Sequence, residues 1–191
     1  AKIMIRNLIS GLPVVASTSG DLMGIITKTD LLEAFIDGYS GVYEVGDLMT
    51  KHPITVKRTH SIFRIQELLA KYNISRVIVV EDEKPIGIIT ETDVVFTKQA
   101  KPLLAKDKFI KQRVKSHKGR ETVVRIYMVP IAEDIMTPNP YVIEVSEDAA
   151  KAASLMLEHG ISGLPVVEYG KLVGVITKTD IVKGMAGLIR R

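Results

Sequence analysis

The chain has 191 residues, of which 46% are apolar and 25% are charged, and its formal net charge is +4 at pH 7. This composition is typical of globular proteins, and no apolar run reaches the roughly 18 residues that a membrane-spanning helix needs. Because the sequence has no cysteine, it excludes disulfides, thiolate metal sites and thiol nucleophiles. We therefore expect a cytoplasmic protein without a membrane segment. The abundance of Ile, Val, Lys and Glu is compatible with a thermophilic source.

The first predicted elements, over residues 1–37, are the end of a helix, two strands and a second helix. The segment IMIRNLISGLPVV (3–15) ends in an apolar strand, and GIITKTD (24–30) closes a second strand where the next helix begins. An opening strand and most of a first helix, which two later segments possess, are missing here. Either the chain was cut at this point or residues ahead of Ala1 exist in the natural protein.

Residues 45–98 predict a complete β-α-β-β-α unit. The segment DLMTKHPITV (47–56) leads into a short β-branched strand, and two later strands at 77–80 and 86–89 are joined by the polar turn 81–84, as in a hairpin. A second helix is expected after Thr90. Between the first two strands, apolar residues recur at the three- and four-residue spacing of an amphipathic helix: Ile62, Ile65, Leu68, Leu69 and Tyr72.

A connector follows at 99–130, and the net positive charge of the protein lies in this segment. From Lys98 to Arg120 there are nine basic residues against Asp107 alone. The run is compatible with contact to nucleic acid or an acidic protein, or with a solvated helix or linker. Because Phe109 is its one aromatic residue, no base-stacking platform is indicated. The stretch TVVRIYMV (122–129) predicts a strand.

Residues 131–186 repeat the second unit. DIMTPNPYVI (134–143) returns 87 residues after DLMTKHPITV, and the same offset carries Gly87 onto Gly174 and Thr90 onto Thr177 without a gap. The predicted first helix again has an apolar face, formed by Ala149, Ala152, Ala153, Met156 and Leu157. Strands are expected at 164–167 and 173–176. The chain therefore holds three ordered copies of one α/β unit, of which the first (1–37) lacks its opening half.

These motifs, M-T-x-x-P, I-S-x-L-P-V-V and G-h-h-T-x-T-D with h apolar, resemble the cystathionine-β-synthase (CBS) domain family. The resemblance covers residues 1–37, 45–98 and 131–186, with 99–130 as a basic connector. It implies β-α-β-β-α units that pair through their sheets into Bateman modules and hold AMP, ADP, ATP or S-adenosylmethionine in clefts. Such modules regulate an attached or associated protein.

Pairing is also expected on size, since a unit of about fifty residues buries too little surface to be securely stable alone. The short connector 37–46 predicts that the first and second copies pack together through their sheets. The sequence does not indicate which unit packs against the third copy. This unit could belong to another chain or lie outside this sequence. A homo-oligomer or a regulated protein partner would satisfy it.

The candidate binding groups are the Thr-x-x-Asp elements, Thr27/Asp30, Thr90/Asp93 and Thr177/Asp180. This spacing can form a capping box at a helix start. The same geometry can bind a nucleotide, because exposed N–H groups at a helix start attract phosphate. In the resembled family the threonine bonds phosphate and the aspartate bonds the ribose hydroxyls. The two roles compete, so a ligand could replace a cap.

Adenine would lie between the opening strand and the entry to the Ile-Ser strand. Arg76, where the other copies have Gly11 and Gly163, could reach phosphate or be a solvated surface residue. For each apolar candidate, core packing is the alternative. The candidates are Ile54, Thr55, Ile74, Ser75, Tyr141, Val142, Ile161 and Ser162.

No catalytic pattern stands beside these residues. The histidines, including His159, have no metal-ligand spacing, and each is expected to be an ordinary surface or loop residue. No phosphate-binding loop or nucleophile elbow is present. The sequence predicts a regulatory, non-enzymatic module that senses an adenine nucleotide and needs no other cofactor. The alternative is a non-binding scaffold whose basic connector engages nucleic acid or an acidic protein.

The copies differ at the residue after the key threonine, which is Lys28, Glu91 and Lys178 in turn. Lysine in the first turn opposes the helix dipole unless an anion is bound, whereas glutamate there is favoured. We therefore expect the first and third copies to attract anions more than the second. The alternative is that these side chains point to solvent and matter little.

Overall fold

The computed structural model of the protein describes residues 1–99, 110–115, 121–126 and 129–187, with the backbone alone for those between 97 and 126. The chain divides into two compact units. A discontinuous unit comprises Ala1–Pro53 and Pro140–Arg191, and a continuous unit comprises Ile54–Asn139.

The discontinuous unit contains the first copy, the start of the second and most of the third. Its elements before Pro53 are α1 (Lys2–Arg6), β1 (Gly11–Val15), β2 (Leu22–Thr27), α2 (Lys28–Tyr39), α3 (Val45–Leu48) and β3 (Thr50–Lys51). Those after Pro140 are β10 (Ile143–Glu144), α7 (Ala149–Glu158), β11 (Gly163–Glu168), β12 (Lys171–Thr177) and α8 (Lys178–Met185).

The continuous unit contains the rest of the second copy, the connector and the start of the third copy. Its elements are β4 (Thr55–Val56), α4 (Ile62–Tyr72), β5 (Arg76–Glu81), β6 (Lys84–Thr90), α5 (Glu91–Gln99), β7 (Ile110–Lys115), β8 (Glu121–Ile126), α6 (Ala132–Ile135) and β9 (Thr137–Pro138). The β-α-β-β-α order and the α/β class predicted from the repeat are therefore confirmed in the second and third copies.

Each unit is built on a four-stranded sheet of the same design. The strand order is β10-β11-β12-β3 in the discontinuous unit and β4-β5-β6-β9 in the continuous unit. In both, the first two strands are parallel and the remaining pairs are antiparallel. The central hairpins turn through two residues with positive φ, Asp82 and Glu83 in one copy and Tyr169 and Gly170 in the other. The first copy contributes a separate two-stranded sheet, β1-β2.

Helix α4 shows how the local sequence defines an element. Ser61 caps its start by accepting from the Arg64 amide, and Asn73 ends it in the left-handed region at φ 49°. The predicted apolar face is buried at four of its five positions. Tyr72 is the exception, with 47% of its surface exposed.

The Met-Thr openings of the second and third copies, Met49-Thr50 and Met136-Thr137, each lie in a different compact unit from the strands that follow them in the chain. β3, from the opening of the second copy, pairs with β12 of the third, and β9, from the opening of the third, pairs with β6 of the second. Gly174 and Gly87 permit this, because a Cβ at either would collide with the Sδ of Met49 or Met136. The repeat in the sequence is therefore offset from the compact units in space.

The prediction that the first and second copies form one compact pair is wrong. Helix α2 packs against α7 and α8 of the third copy, and Leu32 and Phe35 share one core cluster with Met156. The short connector explains the error, since its backbone bonds to the third copy: the Val45 amide donates to the Glu147 carbonyl at 2.8 Å. Its length allowed either arrangement.

Candidate functional site

All three Thr-x-x-Asp elements form the same reciprocal capping box. In the third copy, the Thr177 amide and hydroxyl both donate to Asp180 Oδ2, at 3.0 and 2.6 Å, and the Asp180 amide donates back to Thr177 Oγ1 at 3.4 Å. The corresponding distances are 2.6, 2.9 and 3.4 Å at Thr27, and 2.7, 2.7 and 3.4 Å at Thr90. The capping geometry is thus present in every copy.

The three aspartates differ in exposure. Asp30 is exposed, Asp93 is half-buried and Asp180 is 5% exposed. The pKa of the Asp30 carboxyl lies below its ordinary value, mainly because the Thr27 amide donates to it and secondarily because of the Thr27 hydroxyl. Asp180 also accepts from Lys183 Nζ through Oδ1 at 3.1 Å, so both of its oxygens are engaged.

Strand register places the candidate residues of the third copy at one end of its sheet. Gly163, where β11 begins, pairs with Thr177, where β12 ends, and the Lys178 amide donates to the Ser162 carbonyl at 3.2 Å. Because β10 runs parallel to β11, the residues before β10 lie at this same end. These are Tyr141 and Val142, which are 52% and 43% exposed. Core packing is therefore wrong as the explanation for this pair, whereas Ile161 does pack against the core.

The second copy repeats this end of the sheet. The Glu91 amide donates to the Ser75 carbonyl at 3.1 Å, and Arg76 pairs with Thr90. Ile54 and Ile74 pack against the core cluster, whereas Thr55 is exposed. Arg76 is half-buried, and its Nη2 lies 3.4 Å from Ser75 Oγ. The alternative that Arg76 is a fully solvated surface residue is therefore wrong.

The first copy has the same helix start without the neighbouring strand. The Lys28 amide donates to the Ser10 carbonyl at 2.9 Å, and Gly11 pairs with Thr27. Within the described residues, no strand lies beside β1 where β10 lies beside β11. Thr27 and Asp30 are thus present without the opening-strand residues that accompany the other two pairs.

Two lysines reach between copies, which the sequence reasoning missed. Lys28 Nζ donates to Thr179 Oγ1 and Lys178 Nζ donates to Thr29 Oγ1, each at 3.0 Å. Both lysines are half-buried, so the alternative that they point to solvent is wrong. The identical TKTD sequences of the first and third copies are the signal that could have suggested such a reciprocal contact.

His159 makes a contact that its sequence position did not indicate. It is half-buried and its ring stacks on Tyr141, with centroids 3.9 Å apart and an angle of 9° between the planes. The pair forms an aromatic surface at the end of the sheet that holds the candidate residues. Because 159 and 141 are separated by a whole helix, no local pattern in the sequence indicated this contact.

The predicted contact with nucleic acid or an acidic protein falls on side chains outside the described residues, and so it stays a prediction. Of the connector, the structure describes the backbone of β7 and β8, which pair antiparallel from Ile110 with Ile126 to Lys115 with Glu121. The strand expected within 122–129 thus corresponds to β8. Among the described helices, none combines the length and apolar character required to cross a membrane.

The chain belongs to the CBS domain family. The sequence model of the CBS domain matches residues 1–37, 45–98 and 132–187, more than half of the chain. The fold agrees, since similar solved structures are pairs of CBS domains. The chain is thus a tandem CBS-repeat protein of the Bateman-module type.

Three relatives illustrate the similarity. The protein MJ1404 of Methanocaldococcus jannaschii is 34% identical over 176 residues, which are 91% of this chain and 39% of that protein. CBSX2 of Arabidopsis thaliana, solved in complex with AMP, is 27% identical with a TM-score of 0.58, over 76% of this chain and 98% of that one. The CBS domain pair of MJ0100, solved with 5′-methylthioadenosine and S-adenosyl-L-methionine, is 30% identical with a TM-score of 0.56, over 76% and 97%.

Proposed function

We propose that this chain is a regulatory module that binds an adenosine ligand at the end of the sheet in its second and third copies and signals the bound state to a protein partner. One observation carries the proposal. In both copies, strand register brings the opening-strand residues, the Ile-Ser entry and the capped Thr-x-x-Asp helix start to the same end of one sheet. CBSX2 with AMP, and MJ0100 with two adenosine ligands, support this class of ligand.

In the third copy, the adenine would rest against Tyr141, Val142 and Ile161, with Ser162 at the strand entry. Tyr141 and Val142 offer the exposed apolar surface that a purine ring needs. Asp180 would accept from the ribose hydroxyls, and Thr177 would bond a phosphate oxygen beside the first amides of α8.

In the second copy, Ile54, Thr55, Ile74 and Ser75 would hold the base. Thr90 and Asp93 would take the phosphate and ribose roles, with Arg76 as an additional phosphate donor. Because Ile54 and Ile74 pack against the core, base contact there would come mainly from edges and backbone. We expect this site to bind more weakly than the third.

Ligand binding would exchange one set of bonds for another. The Thr177 hydroxyl donates to Asp180 Oδ2 at 2.6 Å, so a phosphate or ribose contact has to replace that bond. A cap contributes about 1 kcal/mol, whereas charge-assisted bonds to phosphate or ribose contribute roughly 1.5–3 kcal/mol each. The exchange therefore favours the ligand, and it loosens or reorients the first turn of α8.

The first copy provides a route for the signal. Helix α2 packs on α7 and α8, and Lys28 bonds within the first turn of α8. A change at that turn would be transmitted to α2 and from there to a partner that contacts the first copy. This partner would be a second copy of the chain or a regulated protein.

A thermal-shift screen tests the proposal. AMP, ADP, ATP and S-adenosylmethionine are added to the chain, with GMP as a control for the base. A ligand at about 100 times its dissociation constant should add roughly 2.7 kcal/mol to the free energy of unfolding. No shift with any of the four adenosine ligands, or an equal shift with GMP, would contradict the proposed function.

A further inference from the structure

Two equivalent side-chain hydrogen bonds join the first turns of helices α2 and α8. Lys28 reaches from the first copy to the Thr179 hydroxyl, and Lys178 reaches from the third copy to the Thr29 hydroxyl, both at 3.0 Å. All four side chains are half-buried. Two copies of the sequence TKTD therefore face each other within the discontinuous unit.

The balance of charge at this contact favours an anion. Lys28 and Lys178 both donate to neutral hydroxyls. Lys183 donates to Asp180, whose other oxygen already accepts from Thr177, and Asp30 is exposed and engaged by Thr27. The pKa of Lys28 lies below its ordinary value because burial disfavours its charge and Lys183 repels it, while Asp180 acts in the opposite direction. These half-buried cations are incompletely neutralised.

We propose that Lys28, Lys178 and Lys183 bind the phosphate chain of a nucleoside di- or triphosphate, so that one ligand bridges the first and third copies. The proposal rests on the proposed function and narrows its ligand class. Lys28 and Lys178 would each exchange a neutral hydroxyl for a charged oxygen, and charge-assisted bonds are about twice as strong as neutral ones.

The proposal predicts a ligand order. With the ribose on Asp180 and the first phosphate on Thr177, the later phosphates are the groups next to Lys178 and Lys28 along the same helix turn. ATP and ADP should therefore bind more tightly than AMP. S-adenosylmethionine should bind most weakly, because it brings a sulfonium cation to three lysines. The second copy, with exposed Glu91 at the equivalent position, should show no such preference.

The experiment is calorimetric titration of the chain with ATP and, separately, with 5′-methylthioadenosine, which lacks phosphate. Lys28→Met and Lys178→Met are compared with Lys151→Met, which removes the same charge from a lysine paired with Glu147 at 2.7 Å. We expect each of the first two changes to weaken ATP binding about tenfold or more and to leave 5′-methylthioadenosine binding within twofold. Lys151→Met should change neither.

Thr179→Val separates a ligand contact from a structural one, because it removes the hydroxyl that Lys28 bonds and leaves the lysine in place. ATP affinity should stay the same or rise, with urea unfolding reporting whether the protein remains folded. An affinity loss in Thr179→Val equal to that in Lys28→Met would overturn the proposal. So would ATP affinity unchanged in both lysine variants while 5′-methylthioadenosine still binds, and in that case the proposed function would stand. If neither compound binds the wild type, the proposed function fails as well.

Discussion

The Gly41 amide donates to Asp148 Oδ2 at 2.7 Å, which ties the connector after the first copy to the start of helix α7 in the third. The Ser40 hydroxyl donates to the same oxygen at 3.3 Å, and the Ala150 amide donates to Oδ1 at 2.8 Å, so one carboxylate is both helix cap and link between copies. This residue reports on how the discontinuous unit is held together.

Asp148→Ala should lower the free energy of unfolding by about 1–2 kcal/mol, because it removes an N-cap and leaves the Gly41 amide without its carboxylate. Urea denaturation measures the change. Asp37→Ala, at an exposed position on α2 in the same unit, is the matched control and should cost less than about 0.5 kcal/mol. Equal effects in the two variants would show that Asp148 does not link the copies.

The same carboxyl predicts an acid dependence. Its pKa lies below the ordinary value of 3.8, mainly because the Ala150 amide donates to it, with smaller contributions from Gly41 and Ser40 and with burial acting the other way. A group with a depressed pKa in the folded state stabilises the fold above its unfolded pKa and loses that contribution as the pH falls through its folded pKa. The stability difference between wild type and Asp148→Asn should therefore be full near pH 7 and shrink below about pH 4. A difference that stays constant from pH 7 to pH 2.5 would contradict this assignment.

Substitutions at three glycines test whether β3 pairs with β12 and β9 pairs with β6. A Cβ at Gly174 would lie 3.1 Å from the Thr50 carbonyl besides meeting Met49, and one at Gly87 would meet Met136, including its Cβ at 3.1 Å. At Gly24, the equivalent position in the first copy, nothing lies within 4 Å. Gly174→Ala and Gly87→Ala should thus each cost about 1–3 kcal/mol. Gly24→Ala should be neutral or slightly stabilising. Equal effects at all three glycines would show that β3 and β9 do not pack against these strands.

Local sequence was enough to predict the elements of each copy. The period of the apolar residues in α4, the two-residue turn after Glu81 and the capping box at Thr177 depend on neighbours within a few positions, and all three are observed. The sequence also predicted that the candidate residues of one copy lie close together, because the strand order within a β-α-β-β-α unit brings them to one end of the sheet.

Contacts between copies could not be predicted in this way. The connector 37–46 is short enough to let the first and second copies pack together. Its backbone nevertheless bonds to residues 145–147, which are about a hundred positions away. Whether β3 pairs within its own copy or with β12 depends on packing that no periodicity encodes. Lys28 meets Thr179 for the same reason, because the partner of an exposed helix start is chosen by the tertiary fold.

The most direct test of the account is calorimetric titration of wild type, Asp180→Ala and Asp180→Asn with whichever adenosine ligand gives the largest thermal shift. Asp180→Asn keeps an acceptor for the Thr177 amide, so it preserves the cap while removing the charge. Losing a charge-assisted bond to the ribose should cost roughly 1.5–3 kcal/mol, which is a loss of about 10- to 150-fold in affinity at the third copy. Circular dichroism confirms that the variants are folded. If folded Asp180→Asn and Asp180→Ala both bind as tightly as wild type, Asp180 serves only as a helix cap, and the third copy does not hold the ligand as proposed.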